Sequence, residues 1–181
     1  PYAGEQGRRS LFATEAIKAA KDLIALVEEN LGCQIIIQQG ILRYIQNDEQ
    51  KQMFFSHQKN HGDVIACDDR SFWIESGMTI DCSLYLEGLW QMIATRGARL
   101  ERTEISTLKS LDCFDHVIVA AGAGIKKFPE LHELKSSVLR GQVLTCHVPE
   151  EVSLPPVSSL CKGYLALARD KETCYVGSTY E

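Results

Sequence analysis

The chain has no long hydrophobic run. Its longest apolar stretch, residues 117–125, falls far short of the roughly 18–20 residues that cross a bilayer as a helix. No membrane span is expected, and the first residues do not form a signal-peptide pattern. A basic excess is also missing. Lys and Arg number 19 against 24 Asp and Glu, a net charge of −5. That argues against a broad nucleic-acid footprint and leaves room only for a local basic patch. The seven cysteines contain no CxxC pair, and an odd count speaks against a secreted disulfide scaffold. Reduced thiols in a cytoplasmic protein are the expectation. GxSxG and Walker motifs are absent as well, so neither a nucleophile elbow nor a phosphate loop is expected.

What is present is an ordinary globular composition. Apolar residues make up 45% and charged residues 24% of 181 positions, enough for one substantial domain or two small ones. The chain opens on Pro1-Tyr2-Ala3-Gly4 rather than Met, which reads as a turn within a piece of a longer protein.

Helical periodicity is clear at residues 11–30 and 81–96. Ser10 and Asp81 suit the N-caps, and Gly32 and Gly97 the C-terminal stops. A shorter helix is expected at 48–60, capped by Asn47 or Asp48. Residues 33–45 read as a β-branched strand with a turn or bulge at Gly40, and 72–75 as a short strand. A strand with charged flanks is expected at 98–105. Residues 114–122, almost wholly apolar and ending in small residues, read as a strand buried on both faces of a parallel sheet. Residues 138–148, 164–169 and 174–179 read as three antiparallel strands, with Asp170-Lys171-Glu172 as the last turn and 155–159 as a loop. Cys113, Cys146 and Cys174 fall in strand-like stretches and are expected as small buried apolar residues.

Few motifs carry chemistry alone. Gly122-Ala123-Gly124 follows an apolar strand, but a dinucleotide fingerprint needs a third small residue where Lys127 stands, and Phe128-Pro129 oppose a helix. Either a ligand phosphate or ribose approaches this backbone closely, or the glycines only make a tight turn. His57 and His61 have helical i, i+4 spacing near Cys67 and Asp68. A zinc-protease site needs Glu beside the first His, and here it is Gln58, so a solvated helix end and no metal site are expected. Thr173-Cys174-Tyr175 has no neighbouring basic residue to make a thiolate, so no nucleophilic Cys is expected there. Arg140-Gly141-Gln142, opening a strand, suits an anion or a flavin edge, or is simply a charged strand end. Tyr164 suits a substrate carboxylate or a core position. Tyr164 and Arg169 would point to opposite faces of a regular strand.

Three stretches in order resemble one family. Ile80-Asp81-Cys82-Ser83-Leu84 through Gly97-Ala98 is similar to a "hydrophobic-Asp-Pro-x-x-Leu" helix followed by Gly-Ala. Val117-Ile118-Val119-Ala120-Ala121-Gly122-Ala123 with Leu139-Arg140-Gly141-Gln142-Val143 resembles "VVxAAGAW … RGQ". Gly163-Tyr164-Leu165 to Arg169, then Tyr175 to Glu181, resembles "YxxPR … GxxxxGATxE". Together they resemble the FAD-dependent oxidoreductases that include D-amino-acid oxidase, glycine oxidase and the tRNA wobble-uridine demodifying oxidases. Pro1-Tyr2-Ala3-Gly4 looks like a turn of the last branch. Cys82 stands where the family has Pro, Gly124-Ile125 where it has a Trp-Ser type pair, and Ala168 where Pro precedes the Arg.

The resemblance implies an α/β (α+β) fold: part of an FAD-binding sheet plus a substrate domain of antiparallel strands covered by helices. It implies an internal fragment without the GxGxxG unit, with residues 1–31 and 81–135 from the FAD domain and 32–80 and 136–181 from the substrate domain. The implied activity is oxidation of a C–N bond of an amino acid or secondary amine by hydride transfer to flavin. Ala121, Gly122, Ala123, Arg140 and Gln142 would line the cofactor, and Tyr164 and Arg169 the substrate; no catalytic base is implied. FAD would belong to the full-length parent, with the fragment itself inactive. Two rivals remain: a flavin-dependent oxidase of modified uridine in tRNA, and a non-enzymatic binding or assembly module.

Overall fold

A computed structural model describes Tyr2, residues 7–149 and residues 151–178. Among these, three helices are α1 (Ala13–Leu31), α2 (Asp48–Asn60) and α3 (Cys82–Ala94). The strands are β1 (Ile36–Tyr44), β2 (Val64–Ala66), β3 (Ser71–Ile80), β4 (Val143–His147), β5 (Ser159–Leu160), β6 (Tyr164–Leu167) and β7 (Thr173–Gly177). They form one mostly antiparallel seven-stranded sheet in the order β2-β3-β1-β5-β6-β7-β4. The mixed α/β class with antiparallel strands and helices stands as expected.

Local chemistry sets the helix ends. Gly32 takes φ 67° and its N–H bonds back to the Glu28 carbonyl, ending α1. The Asn47 carboxamide accepts the Gln50 N–H at 2.8 Å and starts α2. One Asp81 carboxylate oxygen accepts the Ser83 and Leu84 N–H groups at 3.1 Å and starts α3. The start of α1 departs from expectation. Phe12 precedes it in the left-handed region with no side-chain cap, and Ser10 contributes its carbonyl to the Ala13 N–H.

In the β1–β3 ladder the register shifts between Gln39 and Ile41. Gly40 sits there at φ 80°, and a Cβ would run into the Trp73 indole. Both the backbone angle and the close approach demand glycine. Three features were not foreseen. β3 runs on to Ile80, β2 forms at all, and β5 begins at the last residue of the expected 155–159 loop, pairing parallel to β1 and antiparallel to β6.

Two expected strands do not form. Residues 98–105 and 114–122 make no ladder, and Ile118 is 92% exposed. A strand buried on both faces needs paired neighbours for its backbone groups and a layer over each face. No described strand pairs with this run, so it lies in irregular structure. Cys113 shares its fate, exposed in a turn, whereas Cys146 is half-buried and Cys174 buried.

Two apolar clusters hold the sheet. Phe54, Val64, Phe72, Ile74 and Tyr2 pack α2 against β2 and β3. Ile24, Val27 and Ile35, with Leu84, Tyr85 and Leu89, pack α1 and α3 together and onto β1 and β3. His57 belongs to the first, not to a solvated helix end. It is buried with its Nε2 2.9 Å from the Gly7 carbonyl and its ring 4.8 Å from that of Tyr2. One face of α2 must bury something, and a neutral imidazole with one hydrogen bond can be buried at modest cost. The Pro1–Gly4 turn, Tyr2 excepted, and the strand expectation at Thr179 lie outside the described residues, as do Tyr180 and Glu181.

Candidate functional site

A cavity of about 720 Å³ opens between the two parts of the sheet. β5 is two residues long and meets β1 only at Leu42 and Arg43. Ile37, earlier on β1, has no β5 partner and lines the cavity instead. Thr79 and the start of α3 line one side, and β6, the turn after it and β7 line the other.

Strand alternation aims the phenols. Tyr164 pairs with Gly177, and Ala166 with Tyr175, so Tyr164, Ala166 and Tyr175 share one sheet face. A Cβ on Gly177 would lie 3.1 Å from the Tyr164 ring and hydroxyl and 3.0 Å from Val143. The Tyr164 ring therefore rests on bare backbone, and Gly177 is what makes room for it.

Arg169 lines the same cavity as Tyr164. The opposite-face expectation assumed a strand through Arg169, but β6 stops at Leu167, and the chain turns before the next alternation. The guanidinium Nη2 donates to the Gln34 carbonyl at 2.7 Å, and Nε lies 3.6 Å from an Asp81 oxygen. Asp81 thus does two things, capping α3 and holding Arg169 at the rim. Half-exposed ion pairs of this kind contribute about 0–1 kcal/mol, so positioning rather than stability is the larger consequence. In the sequence Asp81 stood out as a cap and within the first resembling stretch, and Tyr175 as a strand residue opening part of the last one, but neither was expected as a site residue. Their meeting with Tyr164 and Arg169 is tertiary.

The cavity presents two phenols, the Arg169 guanidinium and two carboxylates, Asp81 and Asp170, above apolar walls; Asp170 is taken up by the Glu172 and Thr173 N–H groups. Such a set can hold a small molecule carrying both a carboxylate and an ammonium group. The other five expected site residues do not line it. Ala121, Gly122 and Ala123 are exposed at the start of a 3-10 turn, Gly122–Lys127. A Cβ on Gly122 would meet nothing within 4 Å. Arg140 and Gln142 are exposed just before β4, although the next residue, Val143, lines the cavity. Of the seven expected site residues the cavity therefore brings together two, Tyr164 and Arg169.

No protein-family model and no curated protein matches the chain. A solved structure does. The fold is similar to that of glycine oxidase from Geobacillus kaustophilus, with a TM-score of 0.73. The match covers 99% of this chain at 15% identity, a likeness of fold, and the chain spans 59% of the length of glycine oxidase. Among the described residues no cluster of His, Cys, Asp and Glu could hold a metal ion, and no helix is long and apolar enough to cross a membrane.

Proposed function

We propose that the chain is a fragment of an FAD-dependent oxidoreductase that oxidises a C–N bond of an amino acid or secondary amine by hydride transfer to flavin. The observation that carries this reading is the cavity that brings Tyr164 and Arg169 together in a fold similar to glycine oxidase. Tyr164 would donate its hydroxyl to the substrate carboxylate, with Arg169 supplying positive charge at the rim and Asp81 facing the ammonium group. Ala121, Gly122, Ala123, Arg140 and Gln142 would border the flavin only in a longer protein, where residues 1–31 and 81–135 belong with its cofactor domain and 32–80 and 136–181 with its substrate domain.

The test uses the longest natural protein containing this sequence. It should carry a flavin absorbance that bleaches anaerobically on adding an amino acid or secondary amine. Tyr164→Phe should raise KM about tenfold, the loss of one hydrogen bond to a charged group worth about 1.5 kcal/mol. A protein without flavin, or one whose flavin no amine reduces, would sink the reading. One observation favours the rival, a non-enzymatic module: Arg169 is already engaged by Gln34 and Asp81. On that account Tyr164→Phe leaves ligand binding unchanged.

A further inference from the structure

Cys146 and Cys174 stand directly opposite each other in the β4–β7 ladder, both as free thiols. Two residues along, the Val148 N–H donates to the Glu172 carbonyl at 2.7 Å. The two-residue period of an antiparallel ladder puts Cys146 and Cys174 in the same hydrogen-bonded class, with Cα atoms about 5.5 Å apart. Disulfides form across Cα separations of roughly 4.4–6.8 Å. The two thiols also interact: burial first, then the charge of Cys146 and a hydrogen bond that the Cys174 S–H donates to Cys146, hold the Cys174 thiol above its ordinary pKa. The other five cysteines lie in loops, turns or at the start of α3, and none faces another across a ladder.

We propose that Cys146 and Cys174 form a redox-active dithiol that a hydroperoxide converts to a cross-strand disulfide. Cys146, the half-buried partner, reacts first. Its thiolate sulfur attacks the peroxide, the O–O bond breaks, and a sulfenic acid and one water form. The Cys174 sulfur then displaces the sulfenic oxygen, which leaves with the thiol proton as a second water. Two thiols and one hydrogen peroxide thus become one disulfide and two waters, and a dithiol reductant reverses the change. Burial makes Cys174 a poor first nucleophile, but its fixed place beside Cys146 gives it a high effective concentration for the second step. The bridge would staple β4, an edge strand paired only with β7, next to Tyr175 in the cavity wall. This proposal does not rest on the flavin reading.

The full chain is treated with hydrogen peroxide, its remaining thiols are alkylated, and it is digested without reductant. Cleavage after Glu151 separates Cys146 from Cys161, and cleavage after Lys162 separates Cys161 from Cys174. A cross-linked peptide pair holding Cys146 and Cys174 should be the main product, lost on adding dithiothreitol, while the other five cysteines are recovered mostly alkylated. Oxidised chain should also show slower proteolysis of β4 than reduced chain, and Cys146→Ser should abolish both effects. The wild-type digest needs no variant to fold. Recovery of Cys146 and Cys174 as alkylated as the rest, or cross-links spread over other cysteines, would overturn the proposal.

Discussion

Asp63 accepts hydrogen bonds from the Tyr2 hydroxyl at 3.0 Å and the Ser76 hydroxyl at 2.5 Å, and Arg9 lies 3.6 Å away. Burial alone would push its carboxyl up, but those donors and the Arg9 charge outweigh it and hold it below the ordinary value. Tyr2 responds the other way, pushed up to about 12 chiefly by burial and then by Asp63. The signs give two pH windows. Asp63 contributes stability that is full above about pH 4, its unfolded value, and is lost as pH falls through the lower folded one. Tyr2 contributes stability that is full below pH 10.0, its unfolded value, and is lost as pH rises towards about 12. Denaturant midpoints measured against pH should therefore fall at both ends, and Tyr2→Phe should remove the alkaline loss while keeping a reduced acid one, since Ser76 and Arg9 still hold Asp63 down. An alkaline loss unchanged in Tyr2→Phe would show that another group titrates there. The sequence offered Tyr2 only as part of a turn, because its partner lies 61 residues away and no local pattern links them.

At the scale of elements, Asp81 separates two effects. Asp81→Ala removes the cap of α3, worth about 1 kcal/mol, and the tie to Arg169, worth about 0–1 kcal/mol. Asp81→Asn keeps a capping oxygen and loses only the second. Urea midpoints should rank wild type, then Asn, then Ala, and equal losses would mean that the ion pair rather than the cap matters. Gly40→Ala should cost about 2–4 kcal/mol, from left-handed strain and the clash with Trp73; a midpoint within error of wild type would refute that account of the bulge. The helix ends and the Gly40 bulge were legible because their causes are local: a carboxylate, a carboxamide, a glycine. The 170–172 turn was legible for the same reason, as the Asp170 side chain accepts the Glu172 and Thr173 N–H groups. β5 was not, since it exists only by pairing with Leu42 and Arg43 on one side and with Tyr164 and Leu165 on the other. Residues 114–122 were misread for a related reason. Apolar composition states a demand for burial, but only neighbouring strands and layers can meet it. Tyr164 and Arg169 could be singled out, while the turn that brings them to one cavity depends on where β6 stops.

Surface area shows how unevenly the whole molecule is packed. The chain exposes 13197 Å², against about 8,800 Å² expected of a compact 20.2 kDa monomer. Part of the excess is apolar, with Leu86, Trp90 and Ile93 on α3 and Leu23 and Leu26 on α1 all exposed. A hydrophobic dye such as ANS should therefore brighten on the native chain, and less so once it is unfolded in urea. The larger share of weakly packed backbone runs from the end of α3 to the start of β4. Only 3-10 turns interrupt it, and Phe128 is its one residue in the buried core. Segments with few buried apolar contacts open at low free-energy cost, whereas a central ladder opens only with the whole fold. Brief trypsin treatment should therefore cut first at Arg96, Arg99, Arg102, Lys109, Lys126 or Lys127. Arg43, 2% exposed at the centre of the sheet, should be cut last, at the rate of global unfolding. Mass spectrometry of the first fragments checks the order. First cuts at Lys18 or Lys21 of α1, or at Arg43, would mean that the β1–β3 sheet with its helices is not the stable part of this molecule.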